Sequence, residues 1–126
     1  MEKKKILVID DEKDFTEIVK FNLEKTGKYE VRTEDKGSNG LAAARALKPD
    51  LILLDILMQD MDGSDVASQI KDDENVKNIP IVFLTAVITK AEVDSFGEVI
   101  GGHPFIAKPV SVEGLIDCIE KNIAKL

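Results

Sequence analysis

Three acids, a hydroxyl and an ammonium in this sequence each stand at the end of a short apolar run. Asp10 and Asp11 follow "ILVI", Asp55 closes "DLILLD", Thr85 closes "IVFLT", and Lys108 follows "FIA". Carboxylates gathered without partners raise one another's pKa and repel by several kcal/mol at an effective dielectric of about 20. A divalent cation removes that conflict. Magnesium suits the acids because it takes oxygen ligands at about 2.0–2.1 Å, often one or two carboxylates, with waters and phosphate oxygens for the rest. The acids have no histidine or thiolate beside them in "VIDDE" or "LLDIL", which speaks against zinc. An acid, magnesium, a hydroxyl and a lysine converging on one point describe phosphoryl transfer, where positioning and charge neutralisation do most of the catalysis. Aspartate carboxylates act as nucleophiles that form aspartyl phosphates. Asp55, between the Asp10–Asp11 pair and Thr85, is the candidate.

These residues meet only if the runs are neighbouring strands that end at one edge. Residues 6–9, 51–54 and 81–84 are aliphatic without polar alternation, the pattern of strands buried on both faces. Residues 29–33 and 105–107 are weaker strand candidates. Helical spacing separates them: Phe15, Ile18, Val19 and Leu23 share one stripe, with Phe21 off it. So do Leu41, Ala44 and Leu47; Val66 and Ile70; and Val112, Leu115, Ile119 and Ile123. Gly27 and Pro49 are stop signals, Ser111 is an N-cap, and Thr89 with Glu92 has capping-box spacing. The helix expected there is weakened by Gly97 and closed by Gly101 and Gly102. Five β-α repeats imply an α/β, doubly wound domain with a parallel sheet, right-handed crossovers and helices on both faces, and the expected strand order is the flavodoxin-like 2-1-3-4-5. Ligands bind such sheets beyond the carboxyl ends of the strands, where the winding reverses between strands 1 and 3. Pro104 cannot donate to a ladder, which places the fifth strand at the sheet edge.

The 126 residues fit one domain, 1–126, and the composition, 44% hydrophobic and 33% charged, is that of a soluble globular protein. The formal charge of -7 works against nucleic acid as a direct partner. No apolar stretch is long enough for a membrane span, and the expected location is cytoplasmic. The single cysteine, Cys118, cannot form an internal disulfide and reads as a small apolar helix residue.

"VIDDE", "LLDILMQDMDG", "LTA" and "FIAKP" occur in the order and at the spacing of the receiver domains of two-component response regulators, and the chain resembles that family, which includes the chemotaxis receivers, over essentially its whole length. The resemblance implies that Asp11 binds Mg2+ directly, Asp10 largely through water, and that Asp55 and the Leu57 carbonyl complete the protein's ligands. Asp55 would be the phosphoacceptor. Thr85 would hydrogen-bond a phosphoryl oxygen, and Lys108 would pair with Asp55 and then with the phosphoryl group. Thr85 and Phe105 would form the switch, and the Lys108–Pro109 bond would be cis. The implied partners are a sensor histidine kinase or phosphotransfer protein, docking around the first helix near Phe21, and a downstream protein met through the fourth helix, fifth strand and last helix. Such a receiver is a monomer or a phosphorylation-dependent dimer, and no conventional enzyme, since it catalyses only its own phosphorylation and dephosphorylation.

Some positions depart from the family pattern. Gln59 stands where proline is frequent, "GGHPF" replaces an acidic pair, and the last helix lacks the arginines usual in receivers that dimerise for DNA binding. Leu57 and Val87 are apolar where polar residues can orient hydrolytic water, so the expected aspartyl phosphate is long-lived. His103, between Gly102 and Pro104, reads as a surface residue. Three other functions fit less well. A phosphatase of the haloacid dehalogenase type needs its two acids two residues apart on the first strand, and a flavodoxin-like cofactor site would not tolerate "DDEKD" at its phosphate loop. A phosphorylation-independent adaptor shares every feature of the fold.

Overall fold

Strands that are apolar on both faces need cover on both, and the sequence supplies two sets of amphipathic helices to provide it. The computed structural model describes residues 2–85, 99, 100, 103–108 and 111–124. In chain order the elements are β1 (Lys4–Ile9), α1 (Lys13–Lys25), β2 (Tyr29–Glu34), a 3-10 turn (Gly37–Asn39), α2 (Gly40–Leu47), β3 (Leu51–Asp55), α3 (Gly63–Lys71), β4 (Ile81–Thr85), β5 (Val99–Ile100), β6 (His103–Ala107) and α4 (Val112–Ala124). The sheet order is β2-β1-β3-β4-β6-β5. Its first five members run parallel, in the 2-1-3-4-5 arrangement expected, and β5 is an added antiparallel pairing on the outer side of β6. Val99 and Ile100 thus form a strand where the sequence suggested the end of a helix. The proposed start of that helix at Thr89 lies outside the described residues. Pro104 lies on the last parallel strand, and its partner across the edge is Val99.

Successive strand residues point to opposite faces, and the two faces have separate cores. Leu7, Ile9, Ile52 and Leu54 pack with Ala44 and Ile70 from α2 and α3. Ile6, Val8, Leu51 and Leu53 pack with Leu23 and Ile119 from α1 and α4. Leu23 is fully buried, so Leu23→Ala should cost about 2–5 kcal/mol. The expected result is a lower urea midpoint at unchanged slope.

The helix ends follow the sequence signals. Gly27 adopts φ +79° and donates its N–H to Glu24 O at 3.0 Å. Lys48 ends α2 in the left-handed region just before Pro49, and Ser111 Oγ accepts the Gly114 N–H at 3.0 Å. Two apolar positions depart from expectation. Ile18 is 60% exposed and Val112 38% exposed, although both were assigned to buried stripes. The buried arc of α1 is centred on Thr16, Val19 and Leu23, which leaves Phe15 at its border and turns Ile18 beyond it on the same side. Thr16 can occupy that face because its hydroxyl donates to Lys13 O at 2.9 Å.

Between α2 and α3, Arg45 Nε donates to Asp73 Oδ2 at 2.6 Å, and Asp73 Oδ1 accepts the Asn75 N–H at 2.8 Å. The Arg45 hydrogen bond, with the Asn75 amide next, holds the Asp73 carboxyl below the usual carboxylate range. A depressed folded pKa means that the unfolded chain takes up the proton first as pH falls. The pair's contribution is therefore complete above the unfolded value of about 3.9 and is lost below it as the folded value is crossed. Asp73→Asn should flatten the acid side of a stability–pH profile and leave the slope near neutral pH unchanged.

Candidate functional site

Parallel register brings the polar strand ends together. Ile9 is opposite Leu54, so Asp10 comes level with Asp55. Asp55 is opposite Leu84, which sets Thr85 one residue beyond it. Thr85 is opposite Ala107, and the next residue, Lys108, donates its backbone N–H to Thr85 O at 2.8 Å. Asp10, Asp55 and Thr85 are buried and Asp11 is half-buried. One carboxylate oxygen from each of Asp10, Asp11 and Asp55 lies within 4.8 Å of the others.

The site is acidic and under electrostatic tension. Burial first, and then the charge of Asp10, push the Asp55 carboxyl up to about 7; Lys108 and the Leu57 amide oppose the shift without cancelling it, and Asp11 adds to it. Asp10 Oδ1 accepts the Glu12 N–H at 2.9 Å. Its Oδ2 is sealed from solvent and is ion-paired with Lys108 Nζ at 2.6 Å. Lys108 Nζ also donates to Glu12 Oε1 at 2.8 Å, and rests 4.4 Å over the Phe15 ring and 4.0 Å from Asp55 Oδ2. Burial works against the charged ammonium, but its contacts with Asp10 and Glu12 and the charge of Asp55 outweigh it, so the Lys108 pKa is raised. The three carboxylates, each offering an oxygen within 4.8 Å of the others, and the raised Asp55 carboxyl fit a hard divalent cation.

All the acids assigned from sequence reach this edge, with Thr85 and Lys108 beside them. Leu57 follows on the loop after β3 with its side chain 55% exposed. Phe105 is half-buried against the core on the α2–α3 face. Val87 and Pro109 lie outside the described residues. Phe21 is 66% exposed on α1. His103 is half-buried, edge-on to Phe83 at 5.5 Å between ring centroids, rather than a simple surface residue. Sequence reasoning gave no role to Glu12, which shares the lysine, nor to Gly63, whose N–H donates to Ile56 O at 2.8 Å just below Asp55. Glu12 was visible as the third acid of "VIDDE", and Gly63 as the close of "QDMDG".

Comparison with known proteins gives the family and the fold. The family profile described as the response regulator receiver domain matches residues 6–120. The chain belongs to that family. This receiver domain is 38% identical over 109 residues to the alkaline phosphatase synthesis transcriptional regulatory protein PhoP of Bacillus subtilis, covering 86% of the chain and 43% of that protein. It is 34% identical over 113 residues to the DNA-binding dual master transcriptional regulator RpaA of Synechocystis, covering 89% of the chain and 46% of that protein. The receiver thus spans less than half the length of either curated relative. The chemotaxis protein CheY4 of Vibrio cholerae shares its fold with a TM-score of 0.83 at 26% identity, covering 96% of this chain and 99% of that one. The receiver is a signalling module of the two-component response regulators. Among its described residues no helix is long and apolar enough to cross a membrane.

Proposed function

We propose that this receiver takes a phosphoryl group on Asp55 from a sensor histidine kinase or phosphotransfer protein, with Mg2+ held by Asp10, Asp11, Asp55 and the Leu57 carbonyl. The observation that carries the reading is the meeting of the three carboxylates within 4.8 Å, with Lys108 Nζ 4.0 Å from Asp55. Bound magnesium would neutralise the acids and the charge on the incoming phosphoryl oxygens. An Asp55 carboxylate oxygen forms the new O–P bond as the P–N bond of the donor phosphohistidine breaks, and the donor imidazole keeps that electron pair. Lys108, shared at first with Asp10 and Glu12, moves to the phosphoryl group, and the Thr85 hydroxyl donates to one of its oxygens. The phosphoryl group adds about -1.5 to -2 charges at Asp55. Movement of Thr85 and Phe105 carries the change to a surface built from the segment after β4, β6 and α4, where a downstream protein binds.

The receiver works in the cytoplasm as a monomer or a phosphorylation-dependent dimer, with no membrane and no direct nucleic-acid contact of its own. It is no conventional enzyme, since it turns over only its own phosphoryl group, and the apolar Leu57 favours slow loss of that group. The relatives' names tie those longer proteins to transcription, and any such output of this chain would lie outside the receiver. Acetyl phosphate with Mg2+ should add one phosphoryl group by intact mass, located to the peptide bearing Asp55, and EDTA should abolish the product. Labelling on another residue, or labelling unaffected by EDTA, would overturn the assignment. In the same experiment, a phosphoryl half-life of seconds would contradict the lifetime expected from Leu57.

A further inference from the structure

The loop of residues 56–62 leaves β3 directly after Asp55 and enters α3 at Gly63, so the path of its backbone decides where the Leu57 carbonyl lies. Its base is fixed to the sheet, because Ile56 N–H donates to Leu84 O at 3.0 Å and Gly63 N–H to Ile56 O at 2.8 Å. Its tip is tied on two sides. Gln59 N–H donates to Asp11 Oδ2 at 3.2 Å. Asp60 reaches the other way, its Oδ1 accepting the Gly37 N–H at 3.0 Å and its Oδ2 the Ser38 N–H at 3.1 Å. Both oxygens of one carboxylate are therefore engaged by consecutive amides of the 3-10 turn. That turn is a firm anchor: a Cβ added at Gly37 would lie 3.1 Å from each of the Met58, Met61 and Val66 side chains. The Ser38 and Gly37 amides hold the Asp60 carboxyl below its usual range, as donors to the charged form do.

We propose that Asp60 is a positioning residue for the magnesium site, a two-point clamp that fixes the loop tip to the Gly37–Ser38 turn and so sets the Leu57 carbonyl and the Asp11 carboxylate for the ion. The inference rests on reading the Asp10, Asp11 and Asp55 cluster as a magnesium site. Without the clamp, the Gln59–Asp11 contact is the remaining hydrogen bond between the tip and a side chain among the described residues, beside the packing of Met58 and Met61. Asp11 Oδ2 would then have to hold the loop and serve a cation together. Ordering of groups around a metal through their hydrogen-bonded supports typically changes metal affinity by about 10–100-fold.

The test is calorimetric titration of the chain with MgCl2, alongside urea unfolding in EDTA. Asp60→Ala and Asp60→Asn should weaken magnesium binding about 10-fold. Asp62→Asn removes the same charge from the same loop, at a position whose side chain makes no capping hydrogen bond, and should change affinity by about twofold or less. Asp50→Ala is the structural control: the Asp50 Oδ2 accepts the Lys5 N–H at 2.7 Å at the far end of the sheet, and alanine removes that acceptor. It should lower the urea midpoint and leave magnesium affinity unchanged. Wild-type affinity in both Asp60 variants would overturn the clamp, as would equal weakening by Asp62→Asn, which would make loop charge the cause. Wild-type protein that binds no magnesium would overturn the reading of the acid cluster, and this inference with it. Asp60→Asn keeps an acceptor for one amide and so serves if Asp60→Ala does not fold.

Discussion

Asp55→Asn should accept no phosphoryl group and, in magnesium-free buffer above pH 7, should unfold at a higher urea concentration than the wild type. The first result follows because the amide lacks a nucleophilic carboxylate oxygen. The second follows from the sign of the Asp55 shift. Its folded carboxyl is pushed from 3.8 up to about 7, so between those values the folded protein holds a proton that the unfolded chain has released. Stability therefore falls as pH rises through that window, and above it the folded site bears the full cost of the charge. Asparagine removes that cost, so its advantage should vanish at pH 4, where Asp55 is protonated in the folded wild type. Magnesium should reverse the order, because a ligand that binds only the folded state stabilises it by about 2.7 kcal/mol at 100 times its dissociation constant. Asp55→Asn retains Asp10 and Asp11 but loses one charged ligand, and gains less. The decisive measurement is a pair of urea titrations at pH 8, with EDTA and with excess MgCl2, whose stability order should cross. A variant weaker than the wild type in EDTA would mean that attraction between Asp55 and Lys108 outweighs the burial of the carboxylate and the repulsion from Asp10.

The acid edge was legible in the sequence because a buried parallel strand announces its end chemically: the aliphatic run stops and a polar residue follows. With three such runs, two weaker strand candidates and helical spacing between them, the switch-point geometry makes Asp10 and Asp55 neighbours before any contact is known. Hydrophobic spacing was less decisive on the helices. Ile18 matched a stripe with Phe15 and Val19, but Thr16, able to satisfy its hydroxyl on the backbone, occupies the buried face instead. The division of Lys108 among Asp10, Glu12 and Asp55 could not be read in advance, since it depends on ångström differences between side chains from β1, β3 and the end of β6. Asp60 was hidden for a related reason. Its two acceptors meet amides 22 and 23 residues earlier in the chain, and neither "QDMDG" nor "KGSNG" signals the other. The two-residue β5 escaped because so short a strand has no periodicity and exists only through its pairing with His103 and Pro104.

Gly63→Ala should be the most damaging single-methyl change near the site, although Gly63 begins a helix and has no positive φ. Helix propensity alone would favour alanine by about 1 kcal/mol. Space decides against it: a Cβ at Gly63 would lie 2.2 Å from Asp55 O, 2.8 Å from Ile56 Cα and 3.0 Å from Asp55 C. All three are backbone atoms, so no rotamer change relieves the clash. Asp55 is paired in β3, and the Ile56 amide is bonded to Leu84 O, so either the first turn of α3 lifts away or the end of β3 yields. Lifting α3 breaks the Gly63–Ile56 hydrogen bond and disturbs the burial of Val66 and Ile70, while yielding at β3 displaces Asp55 itself. A net loss of about 2–4 kcal/mol is expected, in the range of strained or overpacked core substitutions. Urea unfolding in EDTA measures that loss, and magnesium titration separates the two responses. Weakened binding beyond that of Leu23→Ala, a core change remote from the acids, would show that the strain reaches Asp55. Affinity equal to that of Leu23→Ala would assign the strain to α3, and unchanged stability would show that the helix start has slack to absorb a methyl group.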